Sequence, residues 1–334
     1  MKSYRKLAGF TLPELMVSMV IAAIVMGMAV NIYIDMKRQY TRLSAKHEIN
    51  SNQLMVKQIL YNSIGHAGFV TKYGDMYQQL VDNSGDNFGD IFGKMGTITI
   101  GKAPLENIQG LPKGLTLSVE ACKERKAQQD DLKNININEN IRCVQPGSDF
   151  LIIQRSSLDS TLKTNSSNNI FKVNEFEKNI IPEKDITMDD YVVLCNASEC
   201  QLDKIGAVTG DFVSTLRRVG DKFKAGDYVG KYMLEVFYIA TSDKKDKNGN
   251  SLYSLYEYVK QNFSDSSIYE LVSDVSDMKI QYVLNSDIKE GTAQLRWQSL
   301  DKAPVKVRSD NIAALKVSFK VANQSTSKIF LVGG

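Results

Sequence analysis

The sequence predicts an α+β protein: one long N-terminal α-helix, its first half able to span a membrane, packed on a globular domain with a predominantly antiparallel β-sheet. Three observations carry that prediction. A run of about twenty residues, Leu15 to Ile34, has no charged side chain and follows a single acid, Glu14; about twenty apolar residues suffice to cross a bilayer. The next segment, Asp35 to Ile64, holds neither Pro nor Gly and continues the helix to Gly65. Beyond Gly65 the pattern changes to short β-branched or apolar runs bounded by turn residues, the mark of strands.

The chain of 334 residues divides into a basic leader (1–9), the N-terminal helix (10–64, with the membrane segment at 12–34) and a β-rich head (65–334). From Leu12 to Ile64 the helix is about 80 Å long at ~1.5 Å per residue. Met36, Tyr40 and Leu43 form one helical stripe; Ile49, Val56, Ile59, Leu60 and Ile64 form a second, shifted one that reads as a core-facing face. Gly27 and Asn31, both poor helix formers, are the places in the apolar half most open to local melting or bending. GHAGF (Gly65–Phe69) closes the helix with two glycines, and His66 reads as a helix-end residue rather than a catalyst.

In the head, the polar stretch Lys72–Gly96 reads as a loop, with Asp82, Asp86 and Asp90 as solvated acids, since no EF-hand spacing is present. Strands are expected at Thr97–Ile100, Leu115–Val119 and Phe150–Ile153, and a surface excursion over 156–190. Tyr191–Leu194 and Gln201–Ile205 make a hairpin. Tyr232–Ala240 and Leu252–Val259 make a clearer one around the Asn248-Gly249 turn signal. Its tyrosines (Tyr232, Tyr238, Tyr253, Tyr256, Tyr258) are expected to stack across the sheet; the sharper alternative is an aromatic platform for nucleic acid. Ser267–Asp277 has helical spacing at Ile268, Leu271, Val272 and Val275. Met278–Leu284 and Ile312–Val321 read as strands, with KIFLVGG at the end adding one more.

Four cysteines, Cys122, Cys143, Cys195 and Cys200, all follow the membrane segment, in what should be an oxidising compartment. Three pairings can be drawn. Local pairing is the simplest, Cys122 with Cys143 and Cys195 with Cys200; closing the first loop stabilises by about 3 kcal/mol. A zinc site is disfavoured: the spacings are not paired CxxC and there are two histidines. Net charge is +3, from 41 basic and 38 acidic residues; loss of Lys2, Arg5 and Lys6 with the leader would leave 38 of each. Composition therefore gives no support for nucleic-acid binding, a local patch aside. No G-x-S-x-G, P-loop or metal constellation is present, so neither catalysis nor a cofactor is expected.

Three readings compete for the N-terminus. A cleaved secretory signal fits the basic leader, but the apolar run is too long and no small-x-small site ends it. A signal anchor fits the length, with Lys2, Arg5 and Lys6 holding the N-terminus in the cytoplasm, but leaves Glu14 unexplained. Gly9-Phe10-Thr11-Leu12-Pro13-Glu14 followed by Leu15-Met16-Val17-Ser18 resembles the type IV prepilin signal. The resemblance implies that a prepilin peptidase cuts between Gly9 and Phe10, that Phe10 is then N-methylated, and that Glu14 neutralises the new amine of a neighbouring subunit during assembly. A carboxylate in an apolar layer costs about 2.5–3.5 kcal/mol and so has a partner.

The order of later features looks like the large minor pilins of the PilW class, relatives of the J-type pseudopilins. These features are Ala67-Gly68-Phe69, the strand near Phe150, the Tyr-rich hairpin, Tyr269–Tyr282 and Asn311–Phe319. The ending Val332-Gly333-Gly334 departs from that class and leaves the closing edge of the sheet open. The resemblance implies a non-enzymatic subunit of the bacterial inner membrane that primes type IV pilus assembly and sits at the pilus tip. Its partners would be other minor pilins, the major pilin, the assembly platform, the peptidase and inner-membrane lipid. The alternatives are a pseudopilin of type II secretion and a tip adhesin or DNA-binding module.

Overall fold

The structure is a computed structural model. It describes residues 12–332 apart from 72–73, 76–79, 87, 94–95, 103–109, 118–119, 125–126, 128–141, 175–185, 247, 250, 289–294, 301–304 and 308–310. The chain forms two compact units, Met1–Ser51 and Asn52–Gly334. The α+β layout is as the sequence predicts: one N-terminal helix and a β-rich head.

Helix α1 (Leu12–Gly65) supplies the first unit and the opening of the second. It runs as helix through Gly27 and Asn31, the two weak points of the apolar half. The surrounding Ala, Met, Ile and Val residues keep the backbone hydrogen-bonded, and one Gly costs only about 1 kcal/mol. In the second unit Val56, Leu60, Ser63 and Ile64 are buried, so the later apolar stripe does face the core. His66 Nδ1 lies 2.7 Å from the carbonyl of Asn62, at the helix end.

Among the described residues the head has seventeen strands: β1 (Val70–Thr71), β2 (Gly74–Asp75), β3 (Leu80–Asp82), β4 (Ile98–Lys102), β5 (Asp149–Thr161), β6 (Ile170–Lys172), β7 (Tyr191–Cys195), β8 (Cys200–Thr209), β9 (Phe212–Thr215), β10 (Tyr228–Lys245), β11 (Ser251–Lys260), β12 (Ser266–Ser273), β13 (Val275–Leu284), β14 (Gln298–Ser299), β15 (Val305–Val307), β16 (Ile312–Val321) and β17 (Gln324–Leu331). Strand β10 is the axis of an eleven-stranded sheet ordered β15-β4-β5-β10-β7-β8-β9-β6. Its first residues pair with β7 and its later ones with β11, which in turn pairs with β12. The pairs are antiparallel except for β3 on β8. A second sheet, β14-β13-β16-β17, ends on β17, which supplies the edge that the C-terminal sequence left open.

Residues 234, 236, 238 and 240 of β10 face one core, gathered around Tyr232. Phe69, Phe88, Phe92 and Tyr191 place their ring centres 5.8–6.4 Å from that of Tyr232. The Tyr232 hydroxyl donates to Gln154 Oε1 at 2.8 Å, and Gln154 Nε2 donates to the carbonyl of Ile91 at 2.9 Å. Two sequence-distant segments are thus tied together through one buried amide, whose polar atoms find protein partners as burial requires. A separate apolar cluster, including Phe171, Ile205, Phe223 and Val229, fills the β6–β9 end. The two sheets are joined by polar links from the Gln145–Asp149 segment. Gln145 exchanges two hydrogen bonds with Asp277, and Asp149 Oδ2 accepts from the amide of Ile280 at 2.7 Å.

Three expectations are corrected. Ser267–Asp277 is not helical: it forms most of β12 and the start of β13, divided at Asp274 with φ +58°. Apolar residues three and four apart fit one helix face, but also two short strands with a break between them. Part of Leu115–Val119 is the short helix α2 (Lys113–Thr116), with 118–119 outside the described residues. The supposed excursion after Arg155 continues β5 to Thr161, because Tyr228–Lys231 of β10 supplies its hydrogen-bonding partners.

Candidate functional site

The apolar half of α1 is the first candidate. Residues 12–34 are exposed on every face of the helix; adjacent Val25 and Met26 are 58% and 70% exposed. A helix apolar all round belongs in a bilayer or a packed core, and water-exposed apolar patches rarely exceed a few hundred Å² (order of magnitude). Among the described residues α1 is the one helix long and apolar enough to cross a membrane. Its polar groups are handled locally: the Ser18 hydroxyl donates to the carbonyl of Leu15 at 2.9 Å. Charge returns at Asp35, whose Oδ1 lies 3.7 Å from Arg38. Glu14 lies exposed in the first turn, where the helix dipole favours negative charge. Gly9 and Phe10 lie outside the described residues.

The head buries charge in several places. Lys204 Nζ lies 3.1 Å from Asp86 Oδ2, with both side chains largely buried, and 3.5 Å from the centre of the Phe263 ring. Tyr191 donates to the other end of the same link, Asp86 Oδ2, at 2.9 Å. Asp86 is therefore not the solvated loop acid the sequence led one to expect: it clamps the 82–90 segment onto β7 and β8. Lys231 pairs with Asp190 at 3.1 Å, and Arg155 with Glu235 at 2.6 Å. Asp203 accepts from Asn83 at 2.6 Å and from Gln201; burial pushes it up to about 6 against those hydrogen bonds. None of these ion pairs was legible beforehand, because each partner comes from a distant segment (118 residues separate Asp86 from Lys204).

Both cysteine pairs are bonded, Cys122 to Cys143 and Cys195 to Cys200, with Cα atoms 5.7 and 4.1 Å apart. Cys195 and Cys200 are register partners closing the β7–β8 hairpin. Tyr238 and Tyr256 stack at 6.0 Å across β10 and β11. With Tyr232 and Tyr258 they are buried, so these four rings present no platform on which bases could stack. The described residues contain no group of three or more His, Cys, Asp or Glu side chains placed to hold a metal ion.

A membrane-length N-terminal helix thus precedes a head of predominantly antiparallel sheet. The prokaryotic N-terminal methylation motif matches residues 4–30. That match takes in Gly9, Phe10, Glu14 and most of the apolar run, and it supports a role as a pilin or pseudopilin. No curated protein and no solved structure matches the chain.

Proposed function

We propose that the chain is a minor pilin of the PilW class that primes type IV pilus assembly and occupies the pilus tip. The carrying observation is the methylation motif at residues 4–30 placed directly on an unbroken 54-residue helix whose apolar half is exposed on all sides. In this reading the basic leader stays in the cytoplasm, consistent with positive charge on that side, and the head crosses to the oxidising side where its two disulfides form. The peptidase cuts between Gly9 and Phe10, and Phe10 is N-methylated. Glu14 then pairs with the amine of an adjoining subunit as the helix leaves lipid for the filament core. The protein acts as a structural subunit without a catalytic site or cofactor. Its partners are other minor pilins, the major pilin, the peptidase, the assembly platform and inner-membrane lipid. It resides in the inner membrane before assembly and on the cell surface afterwards.

The test is a deletion strain assayed in parallel for sheared surface pili and for type II secreted proteins. Loss of pili with intact secretion is the expected result. Intact pili with lost secretion would replace this reading with that of a pseudopilin, which has the same architecture.

A further inference from the structure

One face of the central sheet carries a charge cluster beside the point where the chain leaving α1 joins it. Glu235 on β10 and Arg155 on β5 are joined at 2.6 Å through Glu235 Oε1. Glu235 is 3% exposed, yet among the described residues its second oxygen, Oε2, has no hydrogen-bond donor, and Arg155 Nε is also without a partner. An unmet buried acceptor on a charged group is costly. Glu257 on β11 lies on the same face. Glu235 stands opposite Val259 and Phe237 opposite Glu257, so the two glutamates are diagonal neighbours, about 7–8 Å apart at the backbone and within reach of long side chains. Arg155, opposite Met233, lies on that face as well, so one guanidinium stands near two carboxylates, and carboxylates sharing a site do not both ionise freely.

We propose that Glu257 keeps its proton in the folded head and donates it to the unmet Oε2 of Glu235, so that Arg155, Glu235 and Glu257 form a pH-sensitive clasp. The charges acting on Glu257 are Glu235 from β10 and Arg155 from β5; from β12, Tyr269 stands directly opposite it. Burial first, and then Glu235, push Glu257 up to about 7, with Arg155 opposing. When the proton leaves to solvent, Oε2 loses its donor and the second carboxylate competes for Arg155.

The location gives this a consequence. The chain leaving α1 joins the sheet at this point: the Gly68 amide donates to the carbonyl of Gln154 at 2.9 Å, and Gly68 bridges to Arg155. Arg155 is therefore both the hub of the clasp and the strand position that receives the helix exit. Raising pH through neutrality loosens that seam, and mild acidity tightens it.

The test uses the full-length protein in detergent micelles, with thermal unfolding followed by near-ultraviolet circular dichroism from about pH 5 to about pH 8.5. The wild-type melting temperature should fall as pH rises through about 7, and Glu257→Gln should lose that part of the fall. The difference between the two curves excludes Asp203, which titrates in both proteins. Parallel curves for the two proteins would overturn the proposal. If Glu257→Gln does not fold, carboxyl carbon NMR of wild-type protein labelled at glutamate decides. One glutamate titrating near neutrality supports the clasp, and none titrating above about pH 6 overturns it.

Discussion

Replacing Asp86 by Ala should be among the most damaging single changes in the head outside its apolar core. Lys204 is a buried lysine on β8, and Asp86 is its carboxylate partner at 3.1 Å. Removing the acid leaves that ammonium buried against the Phe263 ring without its carboxylate, and also strips the Tyr191 hydroxyl of its acceptor at 2.9 Å. Breaking a buried pair from one side costs about 3–5 kcal/mol, because the remaining charge is uncompensated. A lost hydrogen bond to a charged group is itself worth about 1.5–3 kcal/mol, and here it forms part of the same penalty. The double variant Asp86→Ala with Lys204→Met removes both charges and should recover much of the loss. Urea unfolding of the detergent-solubilised protein, read at the tyrosine circular dichroism band, measures all three. A cost below about 1 kcal/mol for Asp86→Ala, the range of an exposed pair, would refute the clamp and restore the solvated reading of this loop.

Three further outcomes are expected. Glu14→Ala should leave the protein in the membrane and processed but poorly incorporated; normal amounts in sheared filaments would contradict the docking role of Glu14. Gly230→Ala should destabilise by about 1–3 kcal/mol through overpacking, since an added Cβ would meet Ser156 Oγ at 2.2 Å and the Tyr228 hydroxyl at 2.6 Å; an unchanged melting temperature would show that Ser156 moves aside at no cost. Asp203→Asn should remove one pH-dependent component of stability. Burial lifts Asp203 to about 6 from an ordinary 3.8, so the folded state holds the proton more tightly; its contribution is complete below about pH 4 and is lost as pH rises through 6. An unaltered melting profile over that range in Asp203→Asn would show that another group titrates there.

Much of the architecture could be read from sequence because the relevant signals are local. The charge-free run after Glu14, the absence of Pro and Gly from Asp35 to Ile64, and Asn248-Gly249 between two tyrosine-rich strands each act over a few residues, and the structure carries a helix and a hairpin there. The Ile312–Val321 strand has the same bounds in both. What was misread depends on distant partners. Arg155 to Thr161 looks polar and irregular until β10 is laid beside it. Ile268, Leu271, Val272 and Val275 satisfy helical spacing, and only pairing of β12 with β11, with the left-handed Asp274 after it, selects strands. Asp86 looks solvated until Lys204 and Tyr191 arrive from β8 and β7. At the N-terminus the reverse holds: Gly9 and Phe10 lie outside the described residues, and their roles rest on the motif in which they stand.

The central claim is that this chain is processed and built into a filament as a pilin-type subunit. Mass spectrometry of its N-terminus, recovered from a sheared surface fraction, tests that most directly. The account predicts a chain beginning at Phe10 and carrying one added methyl group on its amine. A chain recovered only from membranes and still beginning at Met1, or one cut beyond the apolar run, would contradict it.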